Sequence, residues 1–66
     1  MSKLQGVVKF FREDRGYGFV TEKETNKDYF VHVTDIQDKI YENDEVSFEL
    51  VDGKKGLNCV NVEVIG

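Results

Sequence analysis

The sequence predicts an all-β chain, a small five-stranded antiparallel barrel that occupies residues 1–66 as a single domain. Three observations carry this. Apolar residues recur with period two in five short stretches, the signature of strands with one buried face. Glycine, asparagine and charged clusters punctuate the gaps between those stretches. No segment sustains the ~10–12 residues of helical period that a helix requires. A short all-β chain must also dispose of its sheet edges, and closing the sheet into a barrel does so.

The first strand is expected over Leu4 to Phe11, followed by a charged turn at Arg12-Glu13-Asp14-Arg15. The second runs from Gly16 to Glu22 and leads into a polar loop that ends at Lys27. The third covers Asp28 to Val33. Thr34 to Glu42 is the least strand-like part, and the spacing of Ile36 and Ile40 fits one helical turn there. Asn43-Asp44 is a turn signal, since Asn tolerates the left-handed region. The fourth strand spans Glu45 to Val51, with Val46, Phe48 and Leu50 alternating with Ser47 and Glu49. Asp52 to Gly56 reads as a hairpin loop, and the fifth strand, Asn58 to Val64, alternates Val60, Val62 and Val64 with Asn61 and Glu63.

Composition removes several classes of function. A chain of 66 residues buries only about 60% of the surface its unfolded form exposes, which leaves a thin core and little wall for an enclosed active site. One Cys forms no internal disulfide, and one Cys with one His falls short of four zinc ligands, so neither a disulfide scaffold nor a metal site is expected. Cys59 and His32 lack a third orienting group, so no catalytic residue is expected and no cofactor is implied. Gly53-Lys54-Lys55-Gly56 lacks the spacing of a phosphate loop and reads as a turn. No apolar run is long enough for a membrane span or a signal peptide, which makes the cytoplasm the expected location. The net charge of −4 runs against the usual basic character of a nucleic-acid binder. Its distribution restores the balance: residues 1–34 hold six bases against five acids, and residues 35–66 three against eight. Six of the eight aromatic residues also lie in the first half.

Alternation assigns the rings to faces. Phe48 is in phase with Val46 and Leu50 and belongs to the core. Tyr17 and Phe19 share one face of the second strand, opposite Gly18 and Val20; Phe30 and His32 share one face of the third, opposite Tyr29, Val31 and Val33. With the small apolar side inward, Tyr17, Phe19, Phe30 and His32 project outward. Phe10 or Phe11 adds a fifth ring, adjacent residues facing opposite ways unless a bulge intervenes. Gly16 and Gly18 flank Tyr17 and are expected to leave room for a ligand at the backbone, and Lys9 and Arg15 stand beside the rings. Rings interleaved with cations suit a single nucleic-acid strand, since every base has a π-face. The competing reading of the same face is an interface with another protein chain.

Arg15-Gly16-Tyr17-Gly18-Phe19-Val20 fits the first six positions of the RNA-binding consensus K/R-G-F/Y-G/A-F-V-x-F/Y, with Glu22 where that pattern ends in a ring. An RNA-recognition motif needs a helix ahead of this run, and only 14 residues precede Arg15. The chain instead resembles the bacterial cold-shock proteins from about Gly6 to Val62. Gly6-Val7-Val8-Lys9-Phe10-Phe11 resembles the family's opening G-x-V-K-W-F strand, and Asp28-Tyr29-Phe30-Val31-His32 its D-V-F-V-H motif. The resemblance implies a barrel of the OB-fold type that binds single-stranded RNA or DNA as a monomer and acts as an RNA chaperone or regulator of gene expression. It implies stacking by Phe10, Tyr17, Phe19, Phe30 and His32, phosphate or base-edge contacts by Lys9 and Arg15, a mixed core and contact role for Phe11, and hydrogen bonding of a base by Asp28. The chain departs from the family pattern at Phe10, where Trp is usual, and at Val33, where Phe is frequent. It also has a shorter segment between Ile36 and Ile40, without the aromatic residue normally found there. At Val33, strict alternation points the side chain inward, whereas the family position reaches the ligand face through a break in the strand.

Overall fold

The computed structural model describes residues 3–53 and 56–65. Five strands form in order: β1 (Leu4–Arg12), β2 (Tyr17–Glu22), β3 (Asp28–His32), β4 (Glu45–Gly53) and β5 (Gly56–Val64). They close into a barrel with the neighbour order β1-β2-β3-β5-β4. Four seams are antiparallel, and the seam that closes the barrel, β3 to β5, is parallel and two residue pairs long: Phe30 with Asn58 and Val31 with Cys59. The β4–β5 hairpin is present as expected, with Gly53 paired to Gly56; Lys54 and Lys55 lie outside the described residues.

The inward residues are those that period two selects on β2, β3 and the first half of β4. Val8, Val20, Val31, Val46 and Phe48 are completely buried, joined by Ile40, Cys59 and Val62. Leu4, Phe11, Tyr29, Ile36, Leu50 and Val64 pack around them. Ser47 is buried too, on the outward side of β4 between its longer cross-strand neighbours Gln5 and Glu63.

Two bulges interrupt the alternation. On β1 the register moves from Val8 opposite Val20 to Phe10 opposite Phe19, which leaves Lys9 as an extra residue. Val8 therefore points inward, Lys9 and Phe10 outward, and Phe11 inward again. On β5 the register shifts between Glu63 and Val60, where Asn61 takes a positive φ of 53°. Cys59 and Val62 consequently face the core while Val60 sits outward opposite Glu49, so the simple alternation of Val60 with Val62 and Val64 does not hold.

Gly18 has a different role from the one its place beside Tyr17 suggested. It is buried and pairs with Val31 on the inner side, and a Cβ there would lie 2.3 Å from the Phe10 carbonyl oxygen and 2.8 Å from Phe11. The missing side chain admits strand β1, not a ligand. Gly16 serves the turn before β2 with a φ of 76°.

The segment after β3 also differs from its expected form. The helical turn is a 3-10 turn at Val33–Asp35, ahead of Ile36, because the His32 side chain accepts a hydrogen bond from the Thr34 N–H and nucleates it there. Ile36 instead bridges to Val62, and the Gln37 N–H donates to the Val62 carbonyl at 2.7 Å, so the segment covers the free edge of β5. Ile40 plugs the core. Asn43 takes the expected positive φ, 72°.

Phe48 is fully buried against Tyr29, with ring centroids 6.5 Å apart. Removing its ring leaves a cavity that so small a barrel has little material to fill. Phe48→Ala should cost ~3–5 kcal/mol, against a total of roughly 3–10 kcal/mol for a domain of this length. Urea or thermal melts check this; a loss under about 1 kcal/mol would show that the core does not depend on this ring.

Candidate nucleic-acid interface

Strands β1, β2 and β3 turn one continuous outer face to solvent, and the register arranges its side chains in rows. Phe10 pairs with Phe19 and Phe19 with Phe30, while Tyr17 pairs with His32 at one end and Thr21 with Asp28 at the other. Cross-strand partners leave the sheet on the same side, so every outward ring assigned by alternation reaches one surface. The rings also support each other. Phe10 and Phe19 have centroids 5.5 Å apart, Phe19 meets Phe30 edge-on at 5.8 Å, Tyr17 stacks with Phe30 at 5.9 Å and 21°, and His32 lies 6.5 Å from Phe30. Such contacts hold the rings in place ahead of any ligand. Phe10, Tyr17, Phe19 and Phe30 are half-buried by their neighbours, and His32 is exposed.

The Lys9 bulge decides between the two adjacent phenylalanines. Phe10 joins the face, whereas Phe11 lies on the other side of the strand against the core. The structure therefore gives Phe11 the core half of its expected mixed role. The row through Phe30 continues onto β5 and β4 as Asn58 and Val51. Val33 is 41% exposed, because β3 ends at His32 and the 3-10 turn begins there. The break in the strand is real, and Val33 does not enter the core.

His32 is held by its successor. Its Nδ1 accepts from the Thr34 N–H at 3.3 Å and lies 3.0 Å from the Thr34 hydroxyl. A backbone N–H only donates, so Nδ1 is an acceptor in this arrangement and the ring proton sits on Nε2. The ring thus offers a donor on the nitrogen that Thr34 does not occupy.

Charge on the face is uneven. Lys9 Nζ lies 2.9 Å from Asp28 Oδ2, and the Thr21 hydroxyl donates to Asp28 Oδ1 at 2.7 Å. Both carboxylate oxygens are engaged, and the hydrogen bond from Thr21, followed by that from Lys9, holds the Asp28 carboxyl below its ordinary range. Each oxygen keeps a second lone pair, so a base amine can share Asp28 with these partners. Arg15 is exposed in the turn between β1 and β2, near the Tyr17 end. Arg12 ends β1 opposite Tyr17. Sequence reasoning passed over Arg12, since its face follows only once the bulge at Lys9 is known; Thr21 was within reach by alternation from Phe19.

Other chemistry finds little support. Cys59 is fully buried, and burial, aided by the charge of Asp35, pushes its thiol up to about 12. Among the described residues no three metal-ligating side chains cluster. Among the described residues no helix is long and apolar enough to cross a membrane. A recess at the far end of the β1–β2 hairpin is lined by Lys3, Leu4, Gln5, Glu22, Lys23 and Glu24, away from the rings.

Comparison with known proteins agrees with this architecture. The family model described as 'Cold-shock' DNA-binding domain matches residues 4–65. A cold shock-like protein of Aquifex aeolicus is 44% identical over 96% of this chain and 96% of its own length. The cold shock-like protein CspC of Escherichia coli K12 is 44% identical over 98% of this chain and its own full length. Among solved structures, drosophila Unr CSD456 superposes with a TM-score of 0.80 at 25% identity, over 98% of this chain and 27% of that larger one. A match of this extent, on a closed five-stranded barrel, places the chain in the cold-shock domain family.

Proposed function

We propose that the protein binds single-stranded RNA or DNA by stacking successive bases on Phe10, Phe19, Phe30, Tyr17 and His32. The observation that carries this reading is the ring cluster itself: five rings on one outer face, each within 6.5 Å of a neighbour, with Lys9, Arg12 and Arg15 at its margins. Exposed rings reduce solubility unless a partner covers them, and bases cover them without a sequence requirement. Membership of a family described as DNA-binding supports the ligand class.

The mechanism is competitive. A base stacked on the protein is withdrawn from pairing, so a hairpin captured in its open form stays open without ATP. Within a cell this is the action of an RNA chaperone or a regulator of gene expression, performed by a cytoplasmic monomer with no catalytic step and no cofactor. In this reading Lys9 and Arg15 meet phosphates or base edges, and Asp28 takes a base amine on its remaining lone pairs.

Three outcomes are expected. Anisotropy titrations should show oligo-dT or oligo-U binding far more tightly than a duplex of equal length, because pairing hides the base faces; equal affinities would remove stacking as the mechanism. Phe30→Ala should lose ~1–3 kcal/mol of single-strand affinity and destabilise the barrel far less than Phe48→Ala in the same melts. Unchanged affinity in a folded Phe30→Ala variant would hand the ring face to a protein partner. Val33→Phe should gain up to ~1–3 kcal/mol by adding a ring beside His32; no gain in a folded variant would show that this position does not reach the strand.

A further inference from the structure

Arg12 is the last residue of β1, and its pairing with Tyr17 puts its side chain on the side of Tyr17 and His32. It is exposed. Its own carbonyl accepts from the Gly16 N–H at 2.7 Å and the Arg15 N–H at 3.2 Å, so the strand end that carries it is fixed by the turn.

The local ion pairs leave this side chain available. Lys9, at the opposite end of the face, is matched by Asp28 at 2.9 Å. Glu13, the acid next to Arg12 in the chain, is taken by Lys39 at 3.1 Å. Among the described residues no carboxylate lies within ion-pair distance of Arg12. One end of the ring face thus carries a compensated cation and the other two uncompensated ones, Arg12 and its turn neighbour Arg15. A guanidinium is charged at all working pH values and offers paired donors that match the oxygens of a phosphate.

We propose that Arg12 binds a backbone phosphate of the single strand, at the nucleotide whose base lies on Tyr17 or His32. The proposal rests on the single-strand reading above. Lys9 contributes less, since Asp28 offsets its charge. The strand is therefore anchored electrostatically chiefly at the turn end of the face and mainly by stacking across Phe10, Phe19 and Phe30.

The test is a salt series of oligo-dT anisotropy titrations on the parent, Arg12→Ala, Arg12→Gln, Arg12→Lys and Lys9→Ala, each with a thermal melt. One phosphate contact on a single strand is worth about 0.7 in the slope of log affinity against log salt. Arg12→Ala and Arg12→Gln should flatten the slope by that amount and weaken low-salt binding roughly tenfold, the scale of one hydrogen bond to a charged group. Arg12→Lys should keep the parental slope, and Lys9→Ala should change it by less than half as much as Arg12→Ala. The glutamine variant carries the measurement if the alanine variant melts early. A parental slope in folded Arg12→Gln, or weaker binding at an unchanged slope, overturns the phosphate role and leaves the single-strand reading standing. A parent that binds no oligo-dT removes both.

Discussion

The arrangement of the outer face depends on one extra residue. Without the bulge at Lys9, strict alternation from Val8 would turn Phe10 into the barrel and Phe11 out of it. With it, Val8 and Phe11 both serve the core while Lys9, Phe10 and Arg12 reach the surface. The same shift brings the Phe10 carbonyl and Phe11 down onto Gly18, where no Cβ would fit. Bulge and glycine are thus one device: the bulge turns the strand over, and the glycine lets it lie close enough to β2 to close the barrel.

The second constraint is electrostatic. A chain of net charge −4 presents a poor average field to a polyanion, yet the field near a contact depends on local charge, since charges beyond about 8 Å are screened at physiological salt. Several acids are answered where they stand: Glu45 by Lys23, Glu63 by Lys3, Glu13 by Lys39 and Asp28 by Lys9. These pairs are exposed and individually add little stability. Their effect is on the pattern of charge, because they mute carboxylates around β1 and leave the ring face to its aromatic groups.

Much of this was legible before the structure. Period two located all five strands to within two residues of their ends and sorted Tyr17, Phe19, Phe30, His32 and Phe48 by face, because β2, β3 and the centre of β4 contain no irregularity. The errors fall where a local rule meets a non-local demand. Phe10 and Phe11 are the same residue type, so the sequence carried no mark of which one the bulge would expose. The β5 bulge was marked only by Asn61, whose tolerance of positive φ was read at Asn43 and not there. Gly18 looked like space for a ligand because β1, the strand it accommodates, arrives from another part of the chain. Ile40 fills the core from a polar segment with no period to announce it. The pairing of Lys9 with Asp28 joins positions 19 residues apart, and only the register of β1 on β2 and β2 on β3 brings them together.

The seam between β3 and β5 has a further consequence. It is the thinnest joint in the barrel, with two residue pairs, and the only parallel one among the described strands. Strands distant in the chain meet there, so its closure bears the loop entropy of everything between them. Phe30 stands on that joint, opposite Asn58. A ligand that lay across both Phe30 and Asn58 would span the seam and favour its closed form; at a hundred times its dissociation constant a ligand specific for that form adds about 2.7 kcal/mol. In so small a barrel such a ligand would act as a structural part, and the population of folded protein would follow its supply.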